Sequence, residues 1–146
     1  MLDLTAFEKY LNTSTGFNRH NGLVFRVPEP GVCECSVDLT GDSLNPQKVV
    51  HGSLLFALCD GATGVAAASL EREMLTQSAN IHFLRTADHG CVTARSRAVK
   101  IGRRTALFAA EVYDDKGRLL ATGDFDIFFV DNPFTWGENR HSLRSE

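Results

Sequence analysis

One stretch of the chain, "NPQKVVHGSLLFALCDGATGVAA", holds Asn45, the pair His51-Gly52 and Asp60, and Ser78 follows 18 residues after Asp60. These are residue types that act on carbonyl groups. Attack on a carbonyl needs donors aimed at the developing oxyanion and a base or nucleophile near the carbon. His51-Gly52 stands at the expected start of a helix, where the first N–H groups lack internal partners and the positive end of the dipole collects. Glycine at that point lets a carbonyl come close to the backbone. Asp60 supplies a carboxylate, and its setting is unusual: it is the single charge in the 19 residues from Gly52 to Leu70. A lone buried carboxylate costs several kcal/mol, on the order of its lost solvation, unless hydrogen bonds offset it. Chemistry explains its presence better than packing, with Ser78 or Asn45 as the expected hydrogen-bond partners.

Asp60 lies eight residues beyond Gly52, about 12 Å along a helix axis at the usual rise. One chain therefore cannot easily bring both to the same carbonyl, and a partner subunit can. Each residue also has a plainer use. Asn45-Pro46 is a common turn former, His51 can cap the helix, and Ser78 can be an ordinary polar-face residue.

The elements that must hold these residues are legible from periodicity. "LTAFEKYL" sets Leu4, Phe7 and Leu11 on one side of a short N-terminal helix. "LVFRV", the turn "PEPG" and "VCECSVDL" read as two successive strands, the second in clean alternation. A long helix starts near Gly52 and ends in the charged "EREM". It is apolar all round, as a helix surrounded by its fold is. From Thr76 onward four strands follow, with "IGRR" and "DDKG" as tight connections, and they predict an antiparallel meander. Small residues from Gly61 to Ala68 let strands approach the helix backbone closely. The pattern predicts an α+β fold, one antiparallel curved sheet around one long central helix. A single domain over residues 1–130 and a loosely ordered tail over 131–146 complete it.

The whole-chain properties narrow the function classes. A length of 146 residues suits one domain, and a net charge of −3 offers no electrostatic reason for nucleic acid or an anionic membrane as partner. The apolar run is a poor membrane span because glycines dilute it and Asp60 sits near its centre. The first 30 residues carry Asp3, Glu8 and Lys9 without a continuous apolar core, so no signal peptide is expected and the protein reads as cytoplasmic. Cys33, Cys35, Cys59 and Cys91 are accordingly read as reduced, with no metal site, since no second pair at ligand spacing exists.

"LNPQKVVHGSLLFALCDGATGVAA", "IHFLRTA" and "KIGRRTALFAAEVYDDKGRLLATG" together resemble the hotdog-fold acyl-CoA thioesterases of the phenylacetic-acid-degradation type. The resemblance implies hydrolysis of an acyl- or aryl-CoA substrate without cofactor or metal, at a site shared by two subunits. Asn45 and Gly52 would come from one, Asp60 and Ser78 from the other. It further implies that the Gly52 N–H polarises the thioester carbonyl, that Asp60 acts as general base or nucleophile, that Asn45 and Ser78 hold water and carboxylate, and that His51 positions the loop or assists the carbonyl. A homodimer is the minimum it implies, and a homotetramer of two dimers its usual form. Arg85, Lys100, Arg103 and Arg104 lie at strand ends or in "KIGRR", where cations can meet CoA phosphates; solvated turn residues are the plainer reading.

Two departures from that family are Ser53, where it usually has the second glycine of His-Gly-Gly, and Lys48, where a glycine is common. Two other functions share the fold: an acyl-thioester hydratase or dehydratase, and a non-catalytic acyl-CoA-binding module. Asn45, His51-Gly52 and Asp60 together favour hydrolysis, and binding alone needs no base at Asp60.

Overall fold

The computed structural model describes residues 1–132 and 134–136. The chain opens with α1 (Leu4–Thr13), where Asp3 accepts the Ala6 N–H as N-cap, and a single turn α2 (Phe17–His20). Strands β1 (Val24–Glu29) and β2 (Val32–Asp38) precede a short 3-10 turn at Gly41–Ser43 and the central helix α3 (Gly52–Ala68). Strands β3 (Met74–Phe83), β4 (Cys91–Ile101), β5 (Thr105–Tyr113) and β6 (Leu119–Phe129) complete the domain. The α+β hotdog architecture expected from the sequence is what the chain adopts: one curved antiparallel sheet against one long helix.

The sheet order is β1-β2-β4-β5-β6-β3, which corrects the four-strand meander. Of those four strands, β4, β5 and β6 follow one another as hairpins; β3 pairs with β6 at the sheet edge, and β2 pairs with β4. The physical reason is the connection 84–90, which is seven residues long. Hairpin turns are shorter, and a segment of this length can carry the chain past two strands to the far side of β5.

The concave face holds the core, because alternate residues of each strand turn toward α3. Phe25, Phe108, Phe125, Leu120, Ile127 and Leu58 of the helix are fully enclosed. The buried polar pair between helix and sheet formed by Thr63 and Ser96 is satisfied by a mutual hydrogen bond of 2.9 Å. Gly61 permits a close helix–sheet approach: a Cβ there would stand 3.3 Å from the Phe25 ring. Cys33, Cys35 and Cys59 are free and buried in this core. Burial pushes the thiols of Cys35 and Cys59 up to about 12, and that of Cys33 higher still, so they stay protonated and inert.

The sheet does not surround α3, however. Ser53, Phe56, Asp60 and Gly64 form a stripe that is exposed or half-buried, so the sheet covers one side of the helix and leaves the other open. The helix ends at Ala68, before "EREM" rather than in it, and Glu71 turns the chain with φ 59°. Of the tail, Trp136 packs edge-to-face on Phe7 and Tyr10, and Thr135 N–H donates to Glu73 at 3.0 Å. Pro133 and residues 137–146 lie outside the described residues.

The two outer strands differ. Asn12 on α1 exchanges two hydrogen bonds with the backbone of Phe25, each 2.8 Å, and Glu8 accepts the Val27 N–H. The outer edge of β1 is thereby closed by helix side chains. β3 has β6 on one side and, among the described residues, no strand on the other, and Leu75 to Asn80 are all exposed.

Candidate active site

Gly52 is the first residue of α3, and its N–H has no acceptor among the described residues. The residue before it, His51, is the N-cap: its Nδ1 accepts from the Ser53 N–H at 3.1 Å and lies 2.6 Å from the Ser53 hydroxyl. An amide N–H only donates, so Nδ1 is an acceptor and the neutral ring carries its proton on Nε2. Ser53, the departure from His-Gly-Gly, therefore uses its hydroxyl to hold the imidazole. Phe83, at the end of β3, closes over this helix start; a Cβ at Gly52 would stand 3.3 Å from its ring.

Asp60 sits two turns further along α3, half-buried on the open stripe rather than enclosed. Its Oδ1 accepts a hydrogen bond of 2.8 Å from the Thr76 hydroxyl of β3. Ser78 does not reach it. A bulge at Gln77 shifts the β3–β6 register, so Thr76 lies opposite inward-facing Ile127 while Ser78 lies opposite outward-facing Asp126. Directly opposed residues share a face. Ser78 accordingly donates to Asp126 at 2.7 Å on the convex side of the sheet, and Thr76 takes the place expected of it beside the carboxylate. No signal in the sequence marks the bulge.

Asn45 serves its own loop within the protomer. Its side-chain oxygen accepts from the N–H groups of Gln47 and Val49 at 3.0 and 3.3 Å, and the loop ends where the Val50 N–H meets the Ala87 carbonyl. Lys48 in that loop has φ 64°, the left-handed conformation that a glycine adopts without strain. The family's preference for glycine there thus has a backbone cause, and Lys48 bears a cost of roughly 1–2 kcal/mol.

The four expected CoA contacts do not gather in one protomer. Arg85 follows β3 at one end of the sheet, while Lys100, Arg103 and Arg104 stand at the other, around the β4–β5 turn. The ends of a ten-residue strand are about 30 Å apart at the usual rise per residue. Arg72, which the sequence reading passed over, donates to the carbonyls of Gly102 and Arg103 and stacks 3.5 Å over the Phe129 ring. Among the described residues no group of three His, Cys, Asp or Glu side chains can hold a metal ion. No described helix is long and apolar enough to cross a membrane.

A free N–H at the start of α3 and a carboxylate farther along the same helix, the one covered by Phe83 and the other held by Thr76 of β3, are a carbonyl chemist's parts, and comparison with known proteins agrees. A thioesterase superfamily model matches residues 47–121, which include His51, Gly52, Asp60 and the whole of β3. The chain belongs to the thioesterase superfamily. Among the relatives of this superfamily member, a protein of Archaeoglobus fulgidus with a provisional esterase name is 26% identical over 71% of this chain and 68% of its own. The PaaI protein of E. coli, from the phenylacetic acid degradation operon, superposes with a TM-score of 0.81 over 89% of this chain and 94% of its own, at 21% identity. A hypothetical thioesterase of Streptococcus pneumoniae, solved with coenzyme A, superposes with a TM-score of 0.71 over 74% of this chain and 85% of its own, at 24% identity. At such identities the two structures speak for the shared hotdog fold.

Proposed function

We propose that this thioesterase-superfamily protein hydrolyses acyl- or aryl-CoA thioesters to the free acid and CoA, at a site completed by two copies of the chain. The observation that carries the reading is the attachment of both groups to one strand with an open edge: Gly52 lies under Phe83, and Asp60 is held by Thr76. Sheet edges with unpaired backbone groups seek partners, and α1 has already closed the β1 side. An antiparallel pairing of two β3 edges centred on Asn80, with Gln77 bulged out of the register, sets Thr76 opposite the partner's Phe83. Asp60 then meets the partner's Gly52, which the 12 Å within one helix forbids in a single chain.

In that arrangement the carbonyl oxygen of the thioester accepts from the Gly52 N–H, with the helix dipole favouring the charge that develops. The Asp60 carboxylate takes a proton from water as the water attacks the carbonyl carbon, or attacks the carbon itself. Collapse of the tetrahedral intermediate breaks the C–S bond, and CoA leaves as the thiol once protonated; where Asp60 itself has attacked, water then hydrolyses the acyl–Asp60 anhydride to the free acid and restores the carboxylate. Thr76 holds the carboxylate oriented. The Nε2–H of His51 is available to the carbonyl or its loop, and the amide of Asn45 to the attacking water; Ser78, on the convex face, acts in neither. The same pairing draws Arg85 toward the partner's Lys100, Arg103 and Arg104, so CoA phosphates meet cations of both chains. The pneumococcal structure with coenzyme A supports this ligand class. A homodimer is what the site needs, and the resemblance of the sequence points to a tetramer of two such dimers.

Free CoA release from a series running from acetyl-CoA through medium and long chains to phenylacetyl- and benzoyl-CoA tests the reading. Wild type turns over at least one member, and Asp60→Asn loses about a hundredfold or more in kcat/KM. Absence of release across the series, or a mutant within a few-fold of wild type, refutes it. The products also exclude hydration of the acyl chain, which releases no thiol.

A further inference from the structure

We propose that the acyl group of the thioester lies in a cavity between α1, the second half of α3 and the segment 134–136, with Trp136 as its end wall, and that the substrates are therefore aryl and medium-chain acyl thioesters. This rests on the hydrolase reading above and assigns the part of the substrate it leaves open.

The cavity has a volume of about 220 Å³. Asp60, Gly64 and Ala68 follow at four-residue spacing on the open stripe of α3 and so share one face; Gly64 and Ala68 form the cavity floor. It thus begins one helical turn beyond the carboxylate, on the side away from the helix start. Gly64 keeps the entry open: the nearest atom to a Cβ there would be the tip of Met74, at 3.9 Å. Phe7, Tyr10, Met74 and Trp136 supply apolar walls.

Two charged residues line it as well, and both are turned to the fold. Arg72 is bound to the carbonyls of Gly102 and Arg103 and stacked on Phe129. Glu73 accepts the Thr135 N–H, and its own carbonyl accepts from Val130, so it ties down the segment that carries Trp136. The ligand portion that fits is uncharged and apolar. Its length is bounded, because Ala68 stands about 12 Å beyond Asp60 along the axis and Trp136 closes the far side against Phe7 and Tyr10.

Trp136 is the chain's single tryptophan, so its emission reports this cavity directly. The Asp60→Asn protein is titrated with octanoyl-CoA, phenylacetyl-CoA and free CoA, with affinity measured in parallel by calorimetry. The expected result is a saturable change in Trp136 emission with both acyl-CoAs and none with CoA. In the same background Gly64→Leu weakens octanoyl-CoA about tenfold or more by filling the space of one buried side chain. Ala68→Leu provides a second variant should Gly64→Leu fold poorly, and shifts preference from octanoyl- toward butanoyl-CoA. Binding of octanoyl-CoA with Trp136 silent, no binding of either acyl-CoA, or unchanged affinities in the filled variants overturns the assignment. A Trp136 response in a protein whose wild type releases no CoA keeps the cavity as the acyl site and discards hydrolysis, so the two readings fail separately.

Discussion

Thr76 meets Asp60 because Gln77 interrupts the alternation of β3. Residue types and spacing were enough to single out Asp60 and His51-Gly52, since an isolated carboxylate in an apolar run and a glycine at a helix start each have few plain explanations. The hydroxyl partner was not legible, because a bulge adds one residue without changing composition and turns every later side chain to the other face. "TQSANIH" therefore offered two hydroxyls in the same phase, and strict alternation could not tell that the bulge separates them. The distinction is testable. Thr76→Val keeps the shape and removes the donor, and a hydrogen bond to a charged group is worth about 1.5–3 kcal/mol. In the account given, kcat for CoA release falls about tenfold or more in Thr76→Val, and Ser78→Ala stays within about twofold of wild type, a change of at most a few tenths of a kcal/mol. Comparable losses in both variants would return Ser78 to the site.

The elements were read well where periodicity is strong and poorly where neighbours decide. α1, α3 and all six strands were legible from alternation and helical spacing. The strand order was not, since the seven-residue segment after β3 gives no hint of which strand it passes. Nor was the open side of α3: a helix rich in Ala, Gly and Leu looks apolar in every direction, and only the packing shows that Ser53, Phe56, Asp60 and Gly64 face outward. The role of α1 emerges at this scale too. Asn12 and Glu8 supply the hydrogen bonds that a further strand beside β1 would make. Asn12→Ala removes two of them at a partly buried site, so a loss of about 1–3 kcal/mol is expected in denaturant unfolding, with the slope unchanged. An unchanged midpoint would mean that water replaces Asn12 at no cost and that the β1 edge is not specially protected.

As a whole molecule, one protomer carries both halves of the proposed site but keeps them apart. The proposed oxyanion donor is at the N-terminus of α3, the carboxylate is two turns along, and both pack against β3. In the proposed reading a two-fold pairing of the β3 edge brings unlike halves together twice, which requires at least a dimer for catalysis. Complementation tests this most directly. Gly52→Pro removes the N–H and adds a ring against which Phe83 must give by a few tenths of an ångström; proline suits the first helical position, and His51, at φ −66° and ψ 131°, already has the extended conformation that precedes proline. Asp60→Asn removes the carboxylate function. Each variant alone is expected to lose about a hundredfold or more in CoA release. Co-expressed in equal amounts, the two chains form mixed dimers with one intact site, and the preparation recovers about a quarter of the wild-type rate by random pairing. Activity no higher than that of the two parents would contradict a site shared between subunits and place Gly52 and Asp60 of one chain in separate roles.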